Sequence, residues 1–374
     1  MKILYLTIAF LDKYDAPVYH VTGFCNALAE LGHSVHLLYP SPGRGFRPAL
    51  AASIRCIPVR YFTFRGWGRL FIFWYSCKLR LLPLQSYDMI YLRLPPDSRF
   101  FAILKKSRVP LVYELNGQEG MKHPGFKKWA RYFSLISTDS EETIRLASQF
   151  WQIPAEHFAI NQNAGIDPQF FKHETPAANA PIIEDFLKDG FFRIAHISSF
   201  RPAHDFDTIF DALRGLDFPY KIICFGDGTE KQSVEAKCIQ YQIPAVFPGA
   251  LPLATVASIL SRCDLCINAL KGYSQKCGNF RAFKLYEYMA AGVPTIETID
   301  PGLPVPVWAE ECLGLVPYEN SGALRSMIID ARANPGKWHE KAKKAKKWVF
   351  ENRTWKCVAQ NMLTVFNQKG FGKQ

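Results

Sequence analysis

The feature that most constrains this chain is an alternation of short apolar runs with longer helical stretches, which is interrupted once and then resumes. Lys2–Ile8, Ser34–Tyr39, Ile54–Val59, Met89–Leu92, Pro110–Glu114, Leu135–Thr138 and Phe158–Asn161 read as strands, and Val18–Leu31 as a helix stopped at Gly32. Strands that alternate with helices pair in parallel, as a doubly wound sheet. Residues 173–190, HETPAANAPIIEDFLKDG, lack a clear period and suit a linker. The pattern then restarts with strands at Phe192–Ile197, Tyr220–Phe225, Ala245–Phe247, Leu265–Ala269 and Thr295–Thr298. Helices fall near Phe206–Leu213, Lys231–Tyr241, Leu253–Ser261 and Ala282–Ala291. At 374 residues the chain exceeds what one core usually supports. The expectation is an α/β protein of two Rossmann-like domains, 1–172 and 191–350, with a terminal segment over 351–374. Ligands of such sheets bind beyond the carboxyl ends of the strands, so two domains facing each other would hold one in the cleft between them.

Several function classes fall away on composition. Hydrophobic residues make up 48% and charged residues 21%, which excludes a disordered or low-complexity chain. The opening MKILYLTIAF is too short to span a bilayer and is followed by no small-residue cleavage site, so it reads as a first buried strand. The ten cysteines sit mostly inside apolar runs, as buried thiols of a reducing cytosol do. Cys263 and Cys266 form C-x-x-C on an expected strand, where residues three apart point to opposite faces, and no second pair completes a metal site. The net charge of +12 favours acidic partners such as phosphates, anionic lipid or nucleic acid. No nucleic-acid motif appears, and neither first strand leads into G-x-G-x-x-G, so a nucleic-acid partner or a dinucleotide cofactor is not expected.

The segment with the most chemistry is FRAFKLYEYMAAGVPTIET, Phe280 to Thr298. Its helix ends at Gly292, with Pro294 just beyond. Lys284, Glu287 and Tyr288 fall at i, i+3 and i+4 and share a face. A cation one turn before a carboxylate can hold a phosphate and, farther along, the hydroxyls of a ribose. No acidic residue occurs between Leu265 and Tyr286, whereas Lys271, Lys276, Arg281 and Lys284 are cationic and Gly272 and Gly278 permit close backbone approach. A solvated basic loop beside a helical salt bridge is the bland alternative.

KLYEYMAAGVP, Lys284 to Pro294, resembles the donor-binding signature of GT-B glycosyltransferases, glycosyltransferase family 4 in particular. Other landmarks follow in the family's order: NAGID at 163–167, the strand, loop and helix of Ala195–Leu213, FGDGTE at 225–230, and a returning C-terminal helix at Trp355–Phe366. The resemblance implies a GT-B fold and a metal-independent transferase that needs no cofactor beyond its nucleotide-sugar donor. It implies that Glu287 binds the ribose, Lys284 the diphosphate, and Gly226, Asp227 and Gly228 shape a loop near the nucleotide. Asn279, Phe280 and Leu285 flank that site. Asn279 stands where relatives often carry a Glu that touches the donor sugar. Ser199 and His204 stand where many carry an Arg and a Lys, with Arg201 between them, so phosphate binding and the stabilisation of the departing diphosphate shift to Arg201 and Lys284. Asp15, Ala16 and Pro17 replace the family's paired glycines. A retaining transfer is expected.

An acceptor hydroxyl must lose a proton, and Asp15, His20, Asp97, Glu114 and His123 are the first-domain candidates, with Asn116 close by. Glu114, at a strand end in YELNG, is the favoured catalytic group. Residues 60–82 combine Arg60, Arg65, Arg69, Lys78 and Arg80 with many aromatics and no acid, a composition suited to an anionic membrane surface or to a buried crossover helix with snorkelling cations. The expected protein is therefore a cytoplasmic, hexosyltransferase-like enzyme, peripheral on the membrane, with a saccharide or lipid-linked acceptor and a place in glycoconjugate or surface polysaccharide biosynthesis. A nucleotide-sugar epimerase or hydrolase of the same fold and a basic nucleic-acid-binding protein are the alternatives.

Overall fold

The computed structural model describes every residue except 14–15, 44–45, 47, 63–66, 95–97, 116–120, 122–123, 162–163, 172–180, 189, 273–278, 281 and 372–374. Two compact units form: Met1–Gly165 together with Trp355–Gln374, and Ile166–Thr354.

In the first unit β1 (Lys2–Thr7), β2 (Ser34–Ser41), β3 (Arg55–Arg60), β4 (Met89–Arg93), β5 (Leu111–Glu114), β6 (Leu135–Thr138) and β7 (Phe158–Ile160) make one sheet. Its order is β3-β2-β1-β4-β5-β6-β7, and every pair is parallel. The chain starts in the middle, winds outward through β3, then returns to β4 and winds the other way. This puts a topological switch point between β1 and β4. Ile3, Leu4, Tyr5 and Leu6 are all fully buried, as a central strand covered on both faces requires.

The helix Trp355–Gln368 completes this unit by packing on the helix Ala16–Glu30. Gly23 costs the latter helix about 1 kcal/mol against alanine. A Cβ at Gly23 would lie 2.2 Å from the Trp355 indole nitrogen, and one at Gly165 would lie 2.7 Å from its ring. The two glycines are the floor on which Trp355 seats.

In the second unit β8 (Phe192–Ile197), β9 (Tyr220–Phe225), β10 (Ala245–Gly249), β11 (Leu265–Asn268), β12 (Thr295–Ile299) and β13 (Gly314–Pro317) run in the order β10-β9-β8-β11-β12-β13, again parallel. The switch point lies between β8 and β11. Side chains alternate along the strands: Ile194, Ile222 and Ile267 enter one core with Phe210 and Leu213, while Ala195, Ile223 and Cys266 enter another with Val256, Ile259 and Tyr288.

The expected fold class holds, with additions that include the helices Val307–Cys312, Ser321–Ala333 and Pro335–Asn352 of the second unit. Residues 173–190, read as linker, contain the helix Pro181–Phe186, whose Ile183 and Phe186 lie in the second unit's core together with Leu187. The edge strand β13 went unread because GLVP is short and ends on a proline, which only an edge or a strand end tolerates. Cys263 and Cys266 are both buried free thiols.

Candidate functional site

The helix Phe283–Ala291 is buried over Lys284–Ala290 and stops at Gly292, whose φ of 74° is the left-handed conformation a helix C-terminus favours. Its two polar tips at i and i+4 converge on one residue, the last of β8. Lys284 Nζ donates to the Ile197 carbonyl at 2.8 Å, and the Tyr288 hydroxyl accepts from the Ile197 amide at 2.6 Å. The spacing that places 284 and 288 on one face therefore clamps the helix to the strand end at the switch point.

Lys284 also contacts His204 Nδ1 at 3.0 Å, and His204 Nε2 contacts Ser199 Oγ at 3.0 Å. An ammonium only donates, so His204 Nδ1 is bare and Nε2 carries the ring proton. Behind it, His196 Nδ1 donates to the Ile267 carbonyl at 2.8 Å, which leaves His196 Nε2 buried without a partner among the described residues. Burial lowers the Lys284 ammonium to about 7 against the pull of Glu297 and Glu287. Burial raises Glu287 to about 7, opposed by Lys284. It raises Glu297 to about 8, opposed by a 2.6 Å hydrogen bond from Asn268 and by Lys284. Lys284 and Glu287 are each 6% exposed, and among the described residues Glu287 accepts no hydrogen bond. A mostly buried ammonium and a mostly buried carboxyl with no hydrogen bond among the described residues, one turn apart, are free to be satisfied by a ligand.

The loop after β8 rests on the FGDGTE turn. A Cβ at Gly226, where φ is 109°, would lie 1.9 Å from the Ser198 carbonyl, and one at Gly228 would lie 1.9 Å from that of Ser199. Both glycines are thus required by backbone approach. Asp227 is exposed and accepts from the Gly228 amide at 2.9 Å; Ser199 and Arg201 are exposed as well. Asn279 bonds backbone on both sides of its amide: it donates to the Asp300 carbonyl at 3.0 Å and accepts from the Asp300 amide at 2.8 Å. It ties the segment before the helix to the end of β12. Phe280 takes a φ of 62°, packs on Trp308, and its carbonyl accepts from the Tyr286 hydroxyl at 2.7 Å. Leu285 is fully buried core.

In the first unit Glu114 ends β5 at 1% exposure. One carboxylate oxygen meets His20 Nε2 and the Tyr91 hydroxyl, each at 3.0 Å, and the other accepts from Arg93. Burial alone would raise its proton affinity. Arg93, then His20, then the Tyr91 hydroxyl overcome this and hold the carboxyl at about 2. A group so engaged accepts a proton poorly, which makes Glu114 an anchor for Arg93 and His20.

The structure thus brings Ser199 and Lys284 together through His204, sets Glu287 one turn along, and joins His20 to Glu114. Asp15, Asp97, Asn116 and His123, with Lys276 and Arg281 of the basic loop, lie outside the described residues. Sequence reasoning missed Arg93, Tyr91, His196, Asn268 and Glu297 as site residues. Glu297 had one readable signal, an acid inside a β-branched strand of an otherwise apolar run.

Residues 18–170 match the family model of Glycosyltransferase Family 4. No curated protein matches the chain in sequence. Among solved structures, HepE of Anabaena in complex with UDP and glucose is 16% identical over 98% of this chain and 100% of its own, with a TM-score of 0.70. Sucrose-phosphate synthase from Thermosynechococcus elongatus is 14% identical over 98% of both chains, with a TM-score of 0.74. WaaG, a glycosyltransferase involved in lipopolysaccharide biosynthesis, is 13% identical over 100% of both, with a TM-score of 0.65. At such identities the likeness is one of fold.

Proposed function

We propose that this chain, a glycosyltransferase of the GT-B fold, takes a hexose from a nucleoside diphosphate sugar held by its second unit and passes it to a saccharide or lipid-linked acceptor at an anionic membrane surface, in glycoconjugate or surface polysaccharide biosynthesis. The observation that carries the donor side is Glu287: a buried carboxyl, unpartnered among the described residues, one turn from a buried ammonium at a switch point. A ribose offers two hydroxyl donors to the carboxyl, and a diphosphate offers oxygens to Lys284 and Arg201. Breaking the bond from sugar C1 to the phosphate oxygen leaves charge on the diphosphate, and those cations meet it without a metal. HepE has been solved with UDP-glucose, which makes UDP-sugars the first donors to try.

Arg93, His20 and Tyr91 hold Glu114 in its ionised form, which speaks for a route for the acceptor proton other than Glu114. In our reading that proton passes to the departing phosphate oxygen as the acceptor oxygen bonds C1 on the same face, so configuration is retained. The donor assignment is tested by Glu287→Gln, which should weaken UDP binding about 10- to 100-fold, the worth of hydrogen bonds to a charged group, with no loss of thermal stability. UDP affinity equal to wild type would remove Glu287 from the site.

The membrane reading rests on the helix Trp67–Arg80. Phe71, Tyr75 and Leu79 are buried beneath it, while Leu70, Phe73 (56%) and Trp74 (53%) stand exposed beside Lys78. At its foot a surface pocket is lined by Arg80, Lys106, Leu82, Leu84 and Ile103. Rings and cations on one helix fit an interface of anionic lipid. The double variant Phe73→Ser with Trp74→Ser should reduce flotation with phosphatidylglycerol vesicles about tenfold. Wild-type protein that does not float with such vesicles at low salt would end this reading.

A further inference from the structure

We infer that His204 is a second cation of the diphosphate site, brought into its charged form by the donor itself; the inference rests on the donor reading above. In the structure the ring is the neutral tautomer, bridging Lys284 Nζ at Nδ1 and Ser199 Oγ at Nε2, each at 3.0 Å. A proton on Nδ1 would face the Lys284 ammonium at that distance with no acceptor between them. Other groups around the ring press the same way. His196 comes from β8, its ring centroid 6.1 Å away, Arg201 from His204's own loop, and Lys284 from the helix Phe283–Ala291. The two carboxyls near Lys284, Glu287 and Glu297, act on the lysine, and neither bonds the imidazole. Burial lowers His204 further, as do Lys284, His196 and Arg201.

A diphosphate reverses both obstacles at once. Its oxygens draw the Lys284 ammonium off Nδ1, and they supply the acceptor that a protonated Nδ1 needs. The ring then takes one proton from solvent, and no other atom is exchanged. Ser199 Oγ keeps Nε2 in place throughout, so the ring need not turn. A lysine in this position would hold its charge against Lys284 at all times. A histidine postpones that repulsion until negative charge arrives, and it makes donor affinity dependent on pH near neutrality.

The sign follows directly. Protonation is suppressed without the nucleotide and favoured with it, so binding takes up a proton and weakens as pH rises. The test is calorimetry of UDP, GDP and ADP binding to the full chain, with the tightest nucleotide carried forward. Binding is measured in two buffers of equal pH and unequal ionisation heat, for wild type, His204→Lys and His204→Gln. Wild type should take up close to one proton more per nucleotide than His204→Lys. Its Kd should rise by up to about tenfold per pH unit between about pH 6 and 8. The lysine variant should keep only the shallower rise that Lys284 and the other shared groups contribute, and the glutamine variant should bind about tenfold more weakly at the acid end with the same shallower rise. Lys284, Glu287, Glu297 and the nucleotide's own phosphate titrate in all three proteins, so the difference between them isolates His204. Equal proton uptake by wild type and His204→Lys overturns the inference and leaves the donor site standing. Failure of all three nucleotides to bind any of the proteins overturns the donor reading with it. If neither variant folds, the NMR signals of the His204 ring in wild type with and without the nucleotide decide, and a ring that stays neutral at pH 7 with nucleotide bound overturns the inference.

Discussion

Replacing Lys284 with methionine should lower kcat/KM for the sugar donor about 10²- to 10³-fold, the effect of removing one preorganised group that meets charge growing in the transition state. The fold should survive the change. Methionine keeps the length and apolar character of the stem, and loss of the ammonium also removes the cost of burying it. Glu287 and Glu297 already have raised proton affinities and can turn neutral rather than remain as unpaired charges. What is lost structurally is the bond to the Ile197 carbonyl, one of the two with which the helix grips the end of β8; Tyr288 retains the other. A drop of a few degrees in the melting midpoint is expected, and no more. Because burial holds Lys284 at about 7, its charged form declines as pH rises through neutrality. The alkaline limb should appear in kcat/KM, which reports the unliganded enzyme, and be weaker in kcat, where the diphosphate favours the ammonium. A methionine variant with kcat/KM within threefold of wild type would mean that the lysine does not meet the leaving group.

The parts of this site that were legible in the sequence are those written in one helix. Lys284, Glu287 and Tyr288 share a face by spacing alone, and Gly292 with Pro294 marks where the helix must stop. Their partners were illegible from spacing because the fold brings them from far away, and only the resemblance placed His204 near them. His196, Ile197 and His204 lie 80 or more residues earlier, and Asn268 and Glu297 meet only because β11 and β12 pair in register, Asn268 opposite Glu297. The Asn279 position shows the converse. Its residue type suggested a change in donor contact, and its amide also bonds the Asp300 backbone, a role visible only once the end of β12 is in place. The GDG turn was legible only through the resemblance, and the approach of the Ser198 and Ser199 carbonyls shows why glycine stands there. Strand alternation revealed both sheets because it is local. It missed β13, where four residues carry too little pattern.

Glu114→Ala should destabilise the first unit by about 3–5 kcal/mol, the cost of stranding a buried charge whose partner is removed. The parallel register of β4 and β5, Leu92 opposite Tyr113, delivers Arg93 and Tyr91 to the carboxylate, and the helix Ala16–Glu30 delivers His20. Alanine leaves Arg93 with only 18% of its side chain exposed and no carboxylate. Glu114→Gln should cost less, because the amide can still accept from Arg93 and Tyr91. The pH dependence has a definite sign. The folded carboxyl titrates at about 2 and its ordinary value is 4.5, so its contribution is complete above 4.5 and is lost as pH falls toward 2. That contribution is about 3 kcal/mol. Chemical denaturation of wild type and the alanine variant across this range, following the transition of the first unit, should show the two curves converging as the pH drops. A general base would behave otherwise: it would leave stability unchanged on mutation and alter the pH profile of turnover. Parallel stability curves from pH 6 to pH 2, together with a lost basic limb in kcat, would return Glu114 to the reaction itself.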